Sequence, residues 1–426
     1  MNNNYQSNIN KKLLKSFAKS FESQTVLTNT VSKQLVNDFD PSTGRGFGQV
    51  ALKRPPQYTP QRTIDGDLTA GMANPVRVGQ VQAEVSNYIT VYVENTQVEE
   101  ALEADQLDEL LMPIAEDMII ELETELALYM ASNSSLISGD PDNQINAWSD
   151  IAAAGAYLKE IGAPSGKKYA VINSFDETEL ADLQTQLGVN SEVMTAWDGA
   201  VIKKHFAGFQ DVMTSNNLPQ YTAGNQTSGL TLGATPAATY TAYQNTYRMS
   251  LVITGATANT GMLRQGQTLE FPGTSIVNMR NRKLLQRSGS NVPFTVTVLE
   301  DATADGSGNM TVSVSGAAIF ESGVNSAFNT VNRALTSGDA VNVLDSTANQ
   351  IVRPALAYCE GAFGMGSVVL PKLHALDSMV MNHKGISIRV HRFSDGVANR
   401  NRYRFDLLPT FATFNPQWAM KMHGRS

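Results

Sequence analysis

The sequence predicts an α+β chain interrupted by an inserted β-domain. Three observations carry that reading. Residues 97–131 hold a long run at helical spacing, and residues 149–187 alternate helix with a short buried strand. From Asn225 to Asp345 no long amphipathic helix can be drawn; that stretch has 17 threonines and recurrent short strands instead.

In chain order, Ile9, Leu13, Phe17 and Phe21 stand four apart, with Lys11, Lys12, Lys15 and Lys19 between them. This predicts a short amphipathic helix over 8–22, either core or an arm that docks on another surface. Residues 40–85 contain Pro41, Pro55, Pro56, Pro60 and Pro75 and six glycines. About 45 residues of turn-rich chain is long for a loop, and loops of that size are usually functional or linkers. The alternation of Asn87 to Val93 predicts a strand.

Leu107, Leu110, Leu111, Ile114, Met118 and Leu122 then follow three-four spacing, extended by Ile119, Leu126 and Met130, with acids opposite. A helix of about 35 residues is about 50 Å long and suits a structural spine. Pro113 kinks it or starts a second helix. A turn at 140–143 precedes an Ala-rich helix over 149–161, capped by Ser149 and stopped at Gly162 and Pro164. Residues 168–172 read as a buried strand and 175–187 as a helix. Inside the insertion, strands are expected at 248–253, 268–271, 294–298 and 310–314, with turns such as Asp305-Gly306-Ser307-Gly308 between them. That pattern suits a small barrel or sandwich. Strands at 386–390 and 404–408 close the chain.

Charge and composition exclude several classes. A single cysteine, Cys359, leaves neither a disulfide framework within the chain nor a Cys-based zinc cluster, and fits a reducing compartment. No apolar run approaches the roughly 18 residues of a membrane-spanning helix. The first residues lack the order of a signal peptide. The net charge of -8 argues against a dedicated nucleic-acid binder. The charges are also segregated. Between Arg77 and Lys159 there is no Lys or Arg but 16 acids, Glu99 and Glu100 among them, whereas residues 380–426 carry eight bases against Asp395 and Asp406. Segments of opposite sign are therefore expected to meet, within one chain or between copies.

Motifs of catalysis are missing. There is no phosphate-binding loop, nucleophile elbow or His-Glu-x-x-His, and the five histidines show no ligand spacing. Asp301 to Val312 echoes a calcium loop but has Thr303 and Val312 at ligand positions, so a β-turn is the better reading. No cofactor, metal or catalytic residue is expected. Arg280, Arg282, Lys283 and Arg287 form the one basic patch of the insertion, either a solvated loop or an interaction loop.

An arm, a Gly/Pro-rich loop, a spine helix, a mixed domain with a β-insertion and returning strands, in this order, resemble the major capsid proteins of tailed phages, with their Hong-Kong-97-type fold. Lys53-Arg54-Pro55-Pro56-Gln57-Tyr58 with Arg62-Thr63-Ile64-Asp65-Gly66-Asp67 is similar to the extended loop of coat proteins of enterobacterial short-tailed phages. Leu107 to Ile114 with Leu122 to Ala127 is similar to their spine helix, and Phe206 to Val212 with Leu218-Pro219 to the approach to their insertion domain. Leu370 to His374, Ser387 to His391 and Phe405 to Pro409 are similar to their C-terminal part.

The resemblance implies an arm (1–53), extended loop (54–93), spine helix (94–131), axial domain (132–224 and 346–384), inserted β-domain (225–345) and returning peripheral strands (385–426). It implies a virion shell subunit, assembled in the host cytoplasm as hexamers and pentamers around a scaffolding protein. A portal would occupy one vertex, and double-stranded DNA would be held by weak contacts, with no membrane involved. Candidate inter-subunit contacts are Leu13, Phe17, Lys53, Arg54, Arg62, Asp65, Asp67, Arg77, Glu99, Glu100, Arg280, Arg282 and Lys283. Some members of the wider fold cross-link subunits through a lysine of the extended loop. Residues 54–85 have Arg54, Arg62 and Arg77 but no lysine, so a shell without covalent links is expected. An encapsulin-like shell, a tail component or an enzyme with a dispersed site are the alternatives.

Overall fold

The computed structural model describes residues 25–33, 51–54, 56–69, 71, 73–96, 107–164, 166–185, 205, 207–371, 377–383, 386–395, 397 and 400–425. The arm helix expected at 8–22, with Leu13 and Phe17, and the acids Glu99 and Glu100 lie outside the described residues. Contacts divide the chain into two compact units. One comprises 1–51, 82–127 and 363–412; the other 52–81, 128–362 and 413–426.

The spine helix, Leu107–Asn133, whose residues to Ala127 belong to the first unit and whose last residues belong to the second, runs unbroken through Pro113, so no second helix begins there. Ile114, Met118, Ile119, Leu122 and Leu126 form its buried stripe, while Asp117 and Glu121 face solvent. A four-stranded antiparallel sheet has the order Asp377–His383, Ile386–Asp395, Arg400–Leu407, Ile89–Thr96. Its register sets Phe405 opposite Val91 and Val390, which builds an apolar face with Ile388, Leu407 and Ile89. The opposite face brings the segregated charges together. Arg402 lies across from Glu94, whose carboxylate it meets at 3.1 Å, and Arg400 bonds the same carboxylate. Fully buried Asp406 receives Arg389 at 2.5 Å, Arg404 at 2.7 Å and the Thr90 hydroxyl at 2.9 Å. A smaller sheet joins Phe363–Ser367, Pro409–Thr413 and Glu84–Val85.

The second unit is built on a five-stranded mixed sheet, in the order Leu136–Ser138, Ala419–Met422, Ala355–Cys359, Lys168–Ile172, Asp211–Thr214. The three central strands are buried along their whole length, so they show no in-out alternation, although Lys168 and Lys421 lie in two of them. The helix Trp148–Glu160 buries Ile151, Ala154 and Leu158. Its cap is not the expected Ser149, which sits within the first turn. Asp150 reaches back instead, and its Oδ2 accepts the N–H of Ala147 at 3.1 Å. A second helix spans Ser174–Thr185.

The insertion is a closed six-stranded barrel, running Arg248–Thr254, Met310–Ser315, Pro293–Val298, Thr268–Ser275, Ala340–Val343, Leu230–Leu232 around the wall. Strict alternation puts Met249, Leu251 and Ile253 inside and leaves Ser250 and Val252 outside. Phe271 and Phe294 fill the interior with ring centroids 6.0 Å apart. On Pro293–Val298 both faces are buried. The outward Thr295 and Thr297 hydroxyls donate to the carbonyls of Ser135 and Ser134 at 2.7 and 2.6 Å, and Ser315 donates to that of Asn133 at 3.0 Å. The barrel thus supplies donors to the end of the spine helix, whose last turn carries no basic residue. At the echo of a calcium loop, Asp305 Oδ1 accepts the N–H groups of Ser307 and Asn309, each at 2.8 Å, which is a side-chain-supported turn.

Candidate assembly surfaces

The described residues of 56–79 form a two-limbed projection. Its prolines lack the N–H that a sheet ladder needs, so the limbs are joined by a side chain. Asn74 Oδ1 accepts the Thr59 N–H at 3.1 Å, and Asn74 Nδ2 donates to the Thr59 carbonyl at 3.0 Å. At the tip, Asp65 and Asp67 each accept a backbone N–H two residues on, at 3.1 and 2.8 Å, and Gly66 between them takes φ +79°. Apolar side chains point outward along the projection. Ile64 is fully exposed, Val76 is 71% exposed and Leu68 58%. Arg62, Asp65 and Asp67 are exposed beside them.

The root is tied to the barrel side of its own unit. Arg77 meets Glu321 at 3.1 Å, and the Thr59 hydroxyl donates to the Val324 carbonyl at 3.1 Å. Arg282 donates to the Asn329 carbonyl at 3.0 Å and also bonds Gln57 Oε1; burial lowers its pKa to about 10. Gly79 packs so closely that a Cβ would lie 2.3 Å from the Gln244 carbonyl oxygen. Arg54 is buried, donates to the carbonyls of Phe414, Thr413 and Asn245, and holds its guanidinium 4.4 Å from the Tyr247 ring centroid. Desolvation lowers its pKa, with Tyr247 acting against that shift.

The sequence-selected residues therefore separate. Arg54, Arg77 and Arg282 hold the projection to its own subunit, whereas Arg62, Asp65 and Asp67 stand at its free tip. Arg280 bonds the Gly162 carbonyl at 3.1 Å, and Lys283 is exposed. Lys53 lies in the strand Ala51–Lys53, which pairs with Gln80–Gln82 at the base of the projection.

Among the buried charged groups that escaped sequence reasoning, Glu123 and Lys421 are the most enclosed on their own elements. Glu123 is 1% exposed, on the stripe defined by Ile119, Leu126 and Met130; an acid at that spacing was the available signal. Lys421 is fully buried in the apolar run Ala419–Met422, and its Nζ donates to the Gly266 carbonyl. Asp345 accepts the Tyr221 hydroxyl at 2.8 Å nearby, and Lys421 lies 5.7 Å from the Tyr221 ring centroid.

A family model described as "P22 coat protein - gene protein 5" matches residues 1–424. The major capsid protein of Acyrthosiphon pisum secondary endosymbiont phage 1 is 39% identical over 427 residues, covering 100% of both chains. Among solved structures, the capsid of Cyanophage P-SCSP1u is similar at 8% identity and TM-score 0.42, over 89% of this chain and 85% of that one. A chain of Mycobacterium phage Che8 is similar at 11% identity and TM-score 0.41, over 93% and 90%. With the family model running from Met1 to Gly424 and a relative aligned along its full length, the chain belongs to the P22 coat protein family and is a major capsid protein, a structural subunit of a phage shell.

Proposed function

We propose that the chain assembles as hexamers and pentamers, around a scaffolding protein, into an icosahedral shell with a portal at one vertex. The shell is built in the host cytoplasm and holds double-stranded DNA through weak contacts. The first unit acts as the peripheral part, the five-stranded sheet as the axial part, and the barrel as the insertion that braces the extended loop. One observation supports this reading above the others. The projection at 56–79 has a fixed root and an exposed apolar tip, an expensive arrangement for a monomer and a useful one for a subunit that grips its neighbour. Each exposed ion pair contributes only about 0–1 kcal/mol, so cohesion comes from many repeated contacts.

The test is to express the full chain alone and together with its phage's scaffolding protein, and to view both by negative-stain microscopy. Closed shells of uniform size are expected with the scaffold. Monomers or open sheets under both conditions would refute the proposal.

A further inference from the structure

We infer that Glu123 is a positioning residue for shell assembly: it pins residues 25–33 to the spine helix and so fixes the point to which the first 24 residues are tethered. The inference rests on the reading that this lysine-bearing arm docks on another surface. Among the acids of the helix whose burial is described, Glu123 alone is buried. Its Oε2 accepts the Leu27 N–H at 2.7 Å, and its Oε1 accepts both the Thr28 N–H at 2.9 Å and the Thr28 hydroxyl at 2.6 Å. The Val26 N–H bonds the same carboxylate, and all of these donors are uncharged. Leucine at this position of the stripe would avoid the cost of burying a carboxylate. What the carboxylate gives in return is a hold on the turn Leu27–Asn29.

The chemistry calls for a carboxylate rather than an amide. Two acceptor oxygens meet donors on both sides, whereas a glutamine would turn its NH2 toward one of those donors and leave it unpaired. A second tie completes the hold. The Ser32 N–H donates to the Phe363 carbonyl at 3.1 Å, the Met365 N–H donates to the Ser32 carbonyl at 3.0 Å, and Leu27 and Val31 are buried between the two ties. The segment is thus held at two points, to the helix and to the strand Phe363–Ser367. At a maximum of about 3.3–3.6 Å per residue, Lys19 then stays within roughly 30 Å of the pin and Lys11 within roughly 60 Å. The pin thereby bounds where the arm's positive charge can be delivered.

The experiment compares the wild type with Glu123→Gln and Thr28→Val in the full chain. Amide hydrogen exchange of Leu27 and Thr28 in the monomer reads the pin, the thermal midpoint reads the global fold, and sedimentation with scaffold reads closed-shell yield. Glu123→Gln is expected to speed exchange at both amides at least about tenfold, equivalent to 1.4 kcal/mol, and to lower shell yield with the midpoint nearly unchanged. Thr28→Val keeps both N–H bonds, so a smaller change in the same direction is expected; it serves as the deciding variant if Glu123→Gln does not fold. Unaltered exchange would overturn the pin. Faster exchange with wild-type shell yield would overturn the positioning role. A wild type that forms no shells would instead count against the proposed assembly itself.

Discussion

Raising the pH above 8 discharges Lys421, and the contribution of its site to the stability of the shell subunit should rise as a result. The side chain is 0% exposed, and desolvation lowers its pKa from 10.5 to about 8, with Asp345 opposing the shift. Between those two values the unfolded chain binds more protons than the folded one, so the stability contributed by this site rises with pH. The slope is at most about 1.4 kcal/mol per pH unit, which accumulates to roughly 3 kcal/mol across the window. Burial also raises the pKa values of Tyr157, Tyr221 and Tyr247, and these groups lose stability in the alkaline range. The site must therefore be read as a difference. The reference is the double variant Lys421→Met with Asp345→Asn, which removes both buried charges while nearly keeping volume. Urea unfolding of monomers from pH 8 to 10, followed by tryptophan fluorescence, should show the wild type gaining on the reference at each step. Parallel pH profiles for the two proteins would refute the reasoning.

Three further outcomes are expected. Burial acts to raise the pKa of Asp406, but hydrogen bonds from Arg389, Arg404 and Thr90 outweigh it and hold the carboxyl below 3.8. The stability it supplies is therefore complete above that value and is lost as the pH falls through the folded pKa. Asp406→Asn should cost roughly 3 kcal/mol at neutral pH and flatten the acid limb of the stability curve, measured by denaturant midpoints from pH 6 to 2. A fragment of residues 225–345 should fold alone, because its closed barrel carries its own core of Leu251, Phe271, Phe294 and Val312; a random-coil dichroism spectrum without a cooperative melt would contradict this. Mature particles boiled in detergent should run as one band near 46.1 kDa, since residues 54–85 offer no lysine for an amide cross-link; a ladder of multimers would contradict it.

What could be read from residues alone was whatever repeats along the chain. The spine helix was legible because Ile114, Met118 and Leu122 recur on one face, and much of the barrel because buried and exposed residues alternate along 248–254. The barrel strands Leu230–Leu232 and Ala340–Val343 were missed because three or four residues are too few to show a period. Alternation also hides its environment. Alternation alone would set Thr295 and Thr297 toward solvent, yet they lie on the carbonyls of Ser135 and Ser134, since a hydroxyl is satisfied equally by water or by a peptide oxygen. Charge segregation foretold that opposite segments meet, and Glu94 with Arg400 and Arg402 is one such meeting. The bracing of the extended loop was not legible, because Arg77 and Glu321 are far apart in sequence and neither has a local pattern that names the other.

The order of strands in the five-stranded sheet imposes a timetable on synthesis. Lys168–Ile172 is buried along its whole length, yet its antiparallel partner Ala355–Cys359 emerges from the ribosome only after the entire barrel has been made. At about 5–20 residues per second, that apolar strand waits roughly 10–40 s for its neighbour. The barrel needs nothing later than Val343 to close its wall. It can be complete while the host sheet is still half made, and a closed wall offers no free edge to the waiting strand. The insertion thus separates, in time as well as in space, the two parts of the host sheet that must find each other without pairing first with a neighbouring nascent chain.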